Sequence, residues 1–416
     1  MPACHGGTAC AHPMTTRKAR ALSPKNAHPI GQGSKKMDFE ISDEQRLMRD
    51  SLRTFLTREC PIEYVRECDE QERFPIELYE KLAAEGWLGL PIPVEYGGMG
   101  GSCTDLAVFL EEFARHFEAG ANIYYTTVVI ATDALVHFAS EEQKKDLLPK
   151  LAKGEIRFAL SLSEPNSGSD AASLRTKAVL EGDEWVINGQ KMFCSAAQVA
   201  DYILLMARSD NEAPKHKGIT MFLLPAKTPG VEIRKLKKLG LKPMDLNEIF
   251  LTDVRLPKDA IIGEANHGWT NVLKTLDYER CCLSAVNVGA AQHVLDYALE
   301  YTGQREQFGQ KISSFQQTRT KLADIDMEIE AARLLLYRSA NLVDRGIPNN
   351  KESAMANLYS SEMYVRAALN GMRMMGGWGY LMEYDMQRHF RDSKLAEIGG
   401  GTSEILRIII SRELTR

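Results

Sequence analysis

The feature that most constrains this chain is the spacing of its apolar residues, which changes from helical to strand-like and back again. From Ile41 onward apolar residues recur at helical spacing. Between about residues 154 and 268, short segments rich in β-branched residues alternate with Pro and Gly. Long helical stretches return after Gly268. This order predicts helical lobes on either side of a β-domain, with clefts between lobes where cofactors tend to lie.

The chain is long enough for several domains. Its 416 residues exceed the roughly 100–200 residues of one typical domain, and 44% are hydrophobic, so a small binding module and global disorder are both excluded. We predict an α+β multi-domain fold with four segments: a disordered extension (1–36), an N-terminal helical domain (37–154), a β-barrel or sandwich (155–266) and a C-terminal four-helix bundle (267–416).

Local signals predict the individual elements. Ser42 and Gln45 form a capping-box pattern at the first helix, and Ser140 with Gln143 repeats it. Further helices are predicted over 75–85, 104–116, 119–138, 269–302, 315–344, 350–374 and 402–415. Strands are predicted over 176–180, 185–187, 201–207, 218–224, 231–236 and 248–254, the first two joined by a turn at 181–183.

Charge and cysteine content exclude several classes of function. There are 51 Lys and Arg against 56 Asp and Glu, so nucleic acid is not expected as a partner. No apolar run approaches the roughly 18 residues of a membrane-spanning helix, and no membrane partner is expected. The eight cysteines include no CxxC pair, which indicates reduced thiols and no metal site. Cys4, His5, Cys10 and His12 match no standard metal spacing.

Residues 1–36 carry six basic residues and no acid. Such a segment is typical of a mitochondrial presequence, although it lacks the large apolar residues of an amphipathic one. We favour the interpretation that residues 1–36 are not part of the natural protein and that translation starts at Met37. The expected location is therefore the bacterial cytoplasm, or the mitochondrial matrix if the segment is a presequence.

A polar cluster spans Leu160 to Asp170, at the start of the predicted β-domain. It combines several hydroxyl groups with a small-residue turn that exposes backbone amides. These groups either bind a polar ligand closely or merely cap their own loop. Local chemistry does not distinguish the two.

Six short motifs occur in order, and through them the sequence from Met37 to the C-terminus resembles the acyl-CoA dehydrogenase family. They are Leu162-Ser163-Glu164-Pro165 with Gly168-Ser169-Asp170, Asn188-Gly189-Gln190-Lys191, Arg305-Glu306-Gln307-Phe308-Gly309, Met375-Gly376-Gly377-Trp378-Gly379-Tyr380, Arg391-Asp392-Ser393-Lys394 and Gly401-Thr402-Ser403-Glu404. Each motif alone is weak, and the ordered set is specific for the family.

The resemblance implies FAD as cofactor and assigns its contacts. Around the flavin ring they fall on Leu160, Leu162, Ser163, Ser169, Phe193 and Ser195. The pyrophosphate and adenine contacts fall on Arg305, Phe308 and Gln316, typically reaching from a neighbouring subunit, and further contacts on Arg373, Gly376, Gly377, Thr402 and Glu404. Relatives usually carry Gln at the position of Arg373, so that contact departs from the family pattern.

A second departure concerns the catalytic base. Many relatives carry a glutamate where this chain has Gly400, and the resemblance to branches such as isovaleryl-CoA and long-chain acyl-CoA dehydrogenases instead implies Glu279 as the base. Gly400 keeps the backbone N–H that would stabilise an enolate, and its missing side chain is expected to leave room for a bulky acyl group. The implied substrate contacts are Ser169, Asp277, Arg280 and Gly401; Glu397 and Glu404 are competing carboxylates.

The resemblance implies dehydrogenation of an acyl-CoA to a trans-2-enoyl-CoA by a homotetramer that passes electrons to an electron-transfer flavoprotein. Three alternatives remain open at this point. They are an enoyl-CoA reductase of the carnitine-derived type, a flavin monooxygenase or oxidase, and a non-catalytic FAD-binding protein in which Gly400 marks a real loss.

Overall fold

The computed structural model describes residues 41–415. The predicted extension over 1–36, with its possible metal ligands and presequence, lies outside these residues, as do residues 37–40. The order of helical, β and helical domains is confirmed. Within the described residues no helix is both long enough and apolar enough to cross a bilayer.

The first domain is built from helices whose starts follow the predicted caps. Both capping boxes form, because each serine hydroxyl accepts the backbone N–H three residues on and each glutamine side chain accepts the serine N–H. The helices are α1 (Asp43–Glu59), α2 (Ile62–Gln71), α3 (Ile76–Ala84), α4 (Cys103–Tyr124), α5 (Ile130–Phe138) and α6 (Glu141–Ala152).

The two helices predicted over 104–116 and 119–138 are divided differently in the structure. Helix α4 continues through the predicted gap, although Phe117 has non-helical dihedral angles (φ −149°, ψ 90°). A π-helical turn, Tyr125–Val129, then joins α4 to α5. Such turns change the direction in which neighbouring side chains point and frequently occur at functional sites.

The middle domain contains one seven-stranded sheet in the order β1-β4-β2-β3-β7-β6, with β5 paired to β4. The predicted turn at 181–183 joins β2 to β3, with Glu181 paired to Glu184. The strands are β1 (Phe158–Ser161), β2 (Lys177–Glu181), β3 (Glu184–Ser195), β4 (Tyr202–Arg208), β5 (Ile219–Pro225), β6 (Val231–Lys235) and β7 (Leu246–Pro257).

The C-terminal domain contains the four predicted helices and one more. Its elements are α7 (Gly268–Gln304), the short strands β8 (Glu306–Gln307) and β9 (Gln310–Lys311), α8 (Gln316–Asp344), α9 (Asn350–Met375), α10 (Met386–Ala396) and α11 (Ser403–Leu414). The additional helix, α10, was missed because its buried face is polar: Arg388, His389 and Asp392 are all buried. Polar residues give no apolar periodicity to detect.

Helices from both ends of the chain share one hydrophobic core. One close approach is at Gly289 in α7, where an added Cβ atom would lie 2.0 Å from the backbone oxygen of Glu111 in α4. Only glycine permits two helices to approach so closely. This contact holds α7 in place, and α7 carries Glu279 about three turns earlier.

Gly289→Ala therefore tests how strongly the structure depends on this contact. The methyl group would force α4 and α7 apart, and we expect a loss of about 1–3 kcal/mol in the free energy of unfolding, as for other overpacked cores. Chemical denaturation measures it. The matched control is Gly303→Ala, at a position in α7 with no atom within 4 Å of the added Cβ; equal destabilisation by both substitutions would contradict the prediction.

Candidate functional site

The polar loop after β1 is held by a buried ion pair. The Lys191 side chain is completely buried, and its Nζ donates to Glu164 Oε1 (2.9 Å) and to the Leu162 carbonyl (3.1 Å). The same carboxylate accepts the backbone N–H groups of Arg175 (2.6 Å) and Thr176 (2.8 Å). Burial lowers the pKa of Lys191 to about 8, whereas the ammonium group keeps the pKa of Glu164 low despite its burial. Glu164 therefore has a structural role.

Three of the predicted flavin contacts are brought together on this loop and the neighbouring strand. The Ser163 carbonyl accepts the backbone N–H of Met192 (2.9 Å) in β3, and Lys191 holds the carbonyl of Leu162. The pairing of β3 with β7 is irregular between Lys191 and Cys194. At this bulge Phe193 has φ 61°, and its side chain is 59% exposed, so an aromatic face is presented beside the loop instead of entering the core.

The remaining residues of this first cluster are arranged around the bulge. The Leu160 carbonyl accepts a hydrogen bond from Cys194 Sγ (3.3 Å), and half-buried Ser195 ends β3. Ser169 lies further along the loop, where it is exposed. Bulge, loop and strand thus place Leu160, Leu162, Ser163, Phe193 and Ser195 in one region.

A second cluster lines a cavity of about 440 Å³ in the C-terminal domain. Two cations, Arg305 and Arg373, border it together with Gly376 and Gly377. Added Cβ atoms at either glycine would meet nothing within 4 Å, and Gly376 has φ +60°. A pair of guanidinium groups beside open glycine backbone is suited to a diphosphate, because both supply hydrogen-bond donors to phosphate oxygens.

Four predicted cofactor positions do not line this cavity. Phe308 is 93% exposed beyond β8 and makes an edge contact with Phe315. Gln316 is exposed at the start of α8. The Thr402 hydroxyl caps α11 by accepting the backbone N–H of Ile405 (3.3 Å), and Glu404 is exposed. Their roles stay predictions.

The third cluster forms where α7 meets the glycine run before α11. Gly400 has φ +67°, and an added Cβ atom there would lie 2.5 Å from Leu283 Cδ1, 3.5 Å from Asn357 Nδ2 and 3.9 Å from Glu279 Oε1. The Glu279 carboxylate therefore lies beside the place where a side chain at position 400 would begin. Leu283 Cδ1 occupies part of the space that the missing side chain was expected to leave for an acyl group, and room for a bulky acyl group stays a prediction.

The Glu279 carboxylate is buried, and its Oε2 atom has no hydrogen-bond partner among the described residues. Burial raises its pKa, and the nearby Tyr125 hydroxyl and Arg280 oppose that shift. Tyr125, in the π-helical turn, completes no well-aligned hydrogen bond to it. A carboxylate with a raised pKa and an unoccupied oxygen is suited to accept a proton.

The groups around this carboxylate are also arranged for binding. Arg280 Nη1 contacts Asp277 Oδ1 (2.8 Å) and Asn350 Oδ1 (3.3 Å), while its Nε has no partner in the described chain. The Gly400 N–H donates to no protein acceptor within residues 41–415. Gly401, with φ +107°, follows directly.

A chain of contacts links this third cluster to the first. Thr126, adjacent to Tyr125, directs its hydroxyl to Met244 Sδ (3.6 Å). The next residue, Asp245, accepts the backbone N–H groups of Ala196 (3.0 Å, through its carbonyl) and Gln198 (3.1 Å, through Oδ2). Ala196 follows Ser195 directly. The π-helical turn therefore connects the surroundings of Glu279 with the end of β3.

Sequence reasoning missed three residues of this site: Tyr125, Leu283 and Asn357. The first depends on a π-helical turn that has no reliable sequence signature. Leu283 was indistinguishable from any core leucine. Asn357 did leave a signal, because it is a polar residue between Ala354, Ala356 and Met363 on the buried face of α9.

Neither metal nor disulfide chemistry is evident in the part of the chain that the structure describes. No group of three or more His, Cys, Asp and Glu side chains is placed to hold a metal ion there. The six cysteines of this part are buried and unbridged, although Cys103 and Cys281 bring their sulfur atoms within 3.7 Å.

Models of one protein family match nearly the whole described chain. The N-terminal, middle and C-terminal domain models of acyl-CoA dehydrogenase match residues 42–155, 159–254 and 266–415, respectively. The chain belongs to the acyl-CoA dehydrogenase family.

Individual relatives are similar over their full lengths. The Bacillus subtilis protein named "Probable acyl-CoA dehydrogenase YngJ" is 38% identical over 381 residues, which cover 91% of this chain and 100% of that protein. The Acetobacterium woodii protein named caffeyl-CoA reductase-Etf complex subunit CarC is 34% identical, covering 90% and 99%. The structure of butyryl-CoA dehydrogenase from Megasphaera elsdenii superimposes with a TM-score of 0.87 at 32% identity, covering 91% and 100%.

Lys191→Met tests the ion pair that shapes the loop. The substitution would leave the Glu164 carboxylate buried without its cation, and we expect a loss of about 3–5 kcal/mol in the free energy of unfolding, measured by chemical denaturation. Adding Glu164→Leu should recover part of this loss, because the unpaired charge is removed too. A single variant as stable as the parent would contradict the role given to the pair.

Proposed function

We propose that the chain is an FAD-dependent acyl-CoA dehydrogenase in which Glu279 removes the α-proton of a thioester substrate while a hydride leaves the β-carbon, giving a trans-2-enoyl-CoA. The observation that carries this proposal is the position of the Glu279 carboxylate. It lies 3.9 Å from the point where a side chain at position 400 would begin, so a base supplied by α7 can replace the one that Gly400 lacks.

The residues present fit FAD. Phe193 offers an exposed aromatic face beside the Leu162–Ser163 loop, and Ser195 offers a hydroxyl; these groups would hold the flavin ring. Arg305 and Arg373, with the open backbone of Gly376 and Gly377, would hold the diphosphate. FAD supplies the acceptor for the hydride from the β-carbon. The predicted contacts at Ser169, Phe308, Gln316, Thr402 and Glu404 remain part of the proposal.

The protein groups around Glu279 account for the proton transfer. Burial raises the pKa of the carboxyl group, which makes the ionised form a stronger base. As the α-proton leaves, negative charge develops on the thioester oxygen, and the unengaged Gly400 N–H is a donor available to stabilise it. Arg280, positioned by Asp277, would bind the CoA portion, with Ser169 and Gly401 as further substrate contacts.

The proposal includes four further parts: the domain limits predicted from the sequence, a homotetrameric assembly, a cytoplasmic location, and an electron-transfer flavoprotein as electron acceptor. The location is supported by the bacterial origin of the relatives. The acceptor is supported by the relative named as a subunit of an Etf complex.

The same relative is named a reductase, which favours the reverse reaction, reduction of an enoyl-CoA, as a second candidate. Glu279 would then return a proton to the α-carbon.

Glu279→Gln tests the base directly. The amide retains the shape of the side chain but accepts no proton, so we expect the rate of flavin bleaching by acyl-CoA thioesters to fall about 10²–10⁴-fold, the usual contribution of a general base. Stopped-flow absorbance measures it under anaerobic conditions with a panel of chain lengths.

The control is Glu397→Gln, which removes a competing carboxylate near the same glycine run and should leave the bleaching rate unchanged. Unchanged bleaching in Glu279→Gln, or loss of bleaching only in Glu397→Gln, would identify a different base. A parent protein that binds FAD but is bleached by no thioester would favour the non-catalytic alternative.

Tyr125→Phe tests the electrostatic setting of the base. The hydroxyl favours the charged form of Glu279, so its removal should raise the pKa of the carboxyl group further. The base works only when ionised, and activity should therefore be lost at a higher pH than in the parent. Because the hydroxyl makes no well-aligned hydrogen bond to the carboxylate, its effect is expected to be at most about 1 kcal/mol, or a shift of at most about 0.7 pH unit.

The measurement is the acid limb of kcat/KM against pH. Tyr79→Phe is the matched control, since Tyr79 is also buried and its hydroxyl also lacks a hydrogen-bond partner among the described residues. An acid limb that stays in place in Tyr125→Phe, or moves to lower pH, would argue against this role of the hydroxyl.

A further inference from the structure

The Asn357 side chain is the most unusual polar group near the proposed base. It lies on α9 and is completely buried. Its Nδ2 atom is 3.5 Å from the point where a Cβ atom on Gly400 would lie, and Glu279 Oε1 flanks the same point at 3.9 Å. The carboxamide and the carboxylate therefore face one small region.

Neither polar atom of this carboxamide is satisfied by the protein. Both Nδ2 and Oδ1 lack a hydrogen-bond partner among the described residues. Three other buried asparagines have at least one paired atom: Asn247 donates to the Cys194 carbonyl although its Oδ1 is unpaired, Asn287 donates to Ser360 Oγ, and Asn349 to Ser339 Oγ. Leaving a buried polar group unpaired costs about 1–3 kcal/mol, and a substrate group that pairs with both atoms of the carboxamide would recover that cost.

Glu279 does not satisfy the carboxamide, since no hydrogen bond joins the two side chains. The amide offers one acceptor and one donor side by side. A hydroxyl group is complementary to both, because it donates through its hydrogen and accepts through its lone pairs.

Resting on the proposed function, we propose that Asn357 is a specificity-determining residue that binds a hydroxyl group carried by the acyl chain a few carbons beyond the reacting carbons. The hydroxyl donates to Oδ1 and accepts from Nδ2. Leu283, at the same point, packs against the apolar part of the chain. The preferred substrate class is thus a hydroxylated short acyl-CoA, in place of a plain hydrocarbon chain of equal length.

The experiment compares thioesters in which a terminal methyl group is replaced by a hydroxyl of similar size. The pairs are pentanoyl-CoA with 4-hydroxybutyryl-CoA, and hexanoyl-CoA with 5-hydroxypentanoyl-CoA. For each, kcat/KM is measured in the parent, in Asn357→Leu and in Asn370→Leu. Asn370 is a half-buried asparagine further along α9, so the control makes the same chemical change on the same helix away from Gly400.

We expect the parent and Asn370→Leu to favour the hydroxylated member of at least one pair by about tenfold or more, the value of one buried hydrogen bond. In Asn357→Leu the preference should disappear or reverse, because an apolar side chain then meets the hydroxyl. Dissociation constants of the same thioesters for Glu279→Gln protein with and without Asn357→Leu, measured by calorimetry, should show the same change without turnover.

A parent that favours the methyl member of both pairs, or favours neither, overturns the inference even if Asn357→Leu does not fold. So does an Asn357→Leu enzyme that loses activity equally toward both members, as expected for a purely structural residue. In these cases bleaching by the plain thioesters would leave the proposed function intact. If no thioester bleaches the parent, the proposed function fails and this inference fails with it.

Discussion

Burial of one carboxylate, that of Glu279, is the constraint on which the site depends. The group forms no ion pair within the described residues, and its pKa is raised because it is removed from water. Such a group is costly to keep in place, and it is held there by a helix that is itself tightly packed: α7 approaches α4 so closely that only Gly289 fits between them. A rigid backbone lets a poorly solvated carboxylate keep its position without a network of hydrogen bonds around it.

The rest of the site follows the same principle, in which rigid elements position reactive groups. The loop that carries Leu162 and Ser163 is held by Lys191, whose ammonium group is fully buried against Glu164. The bulge in β3 turns Phe193 outward, and the π-helical turn brings Tyr125 toward the base. These two backbone irregularities lie beside proposed functional residues, consistent with the tendency of bulges and π-turns to occur at such sites.

Much of this arrangement could be predicted from the sequence. The capping serines, the turn before β3 and the order of domains follow from local residue preferences, and Glu279 followed from a motif resemblance together with the absence of a side chain at Gly400. What could not be predicted depends on contacts between distant segments. Helix α10 buries charged residues against partners elsewhere, Leu283 fills a space created by a residue 117 positions later, and the unpaired state of Asn357 is visible only once its surroundings are known.

The packing at Gly400 also bears on how such an enzyme can change over generations. A glutamate restored at that position would need a backbone with a different φ, would collide with Leu283 and would place its charge next to that of Glu279. A glutamate at position 400 would therefore need further changes, in Leu283 and in the local backbone. Under the proposed role of Glu279, we expect glycine at position 400 and glutamate at position 279 to occur together in related proteins.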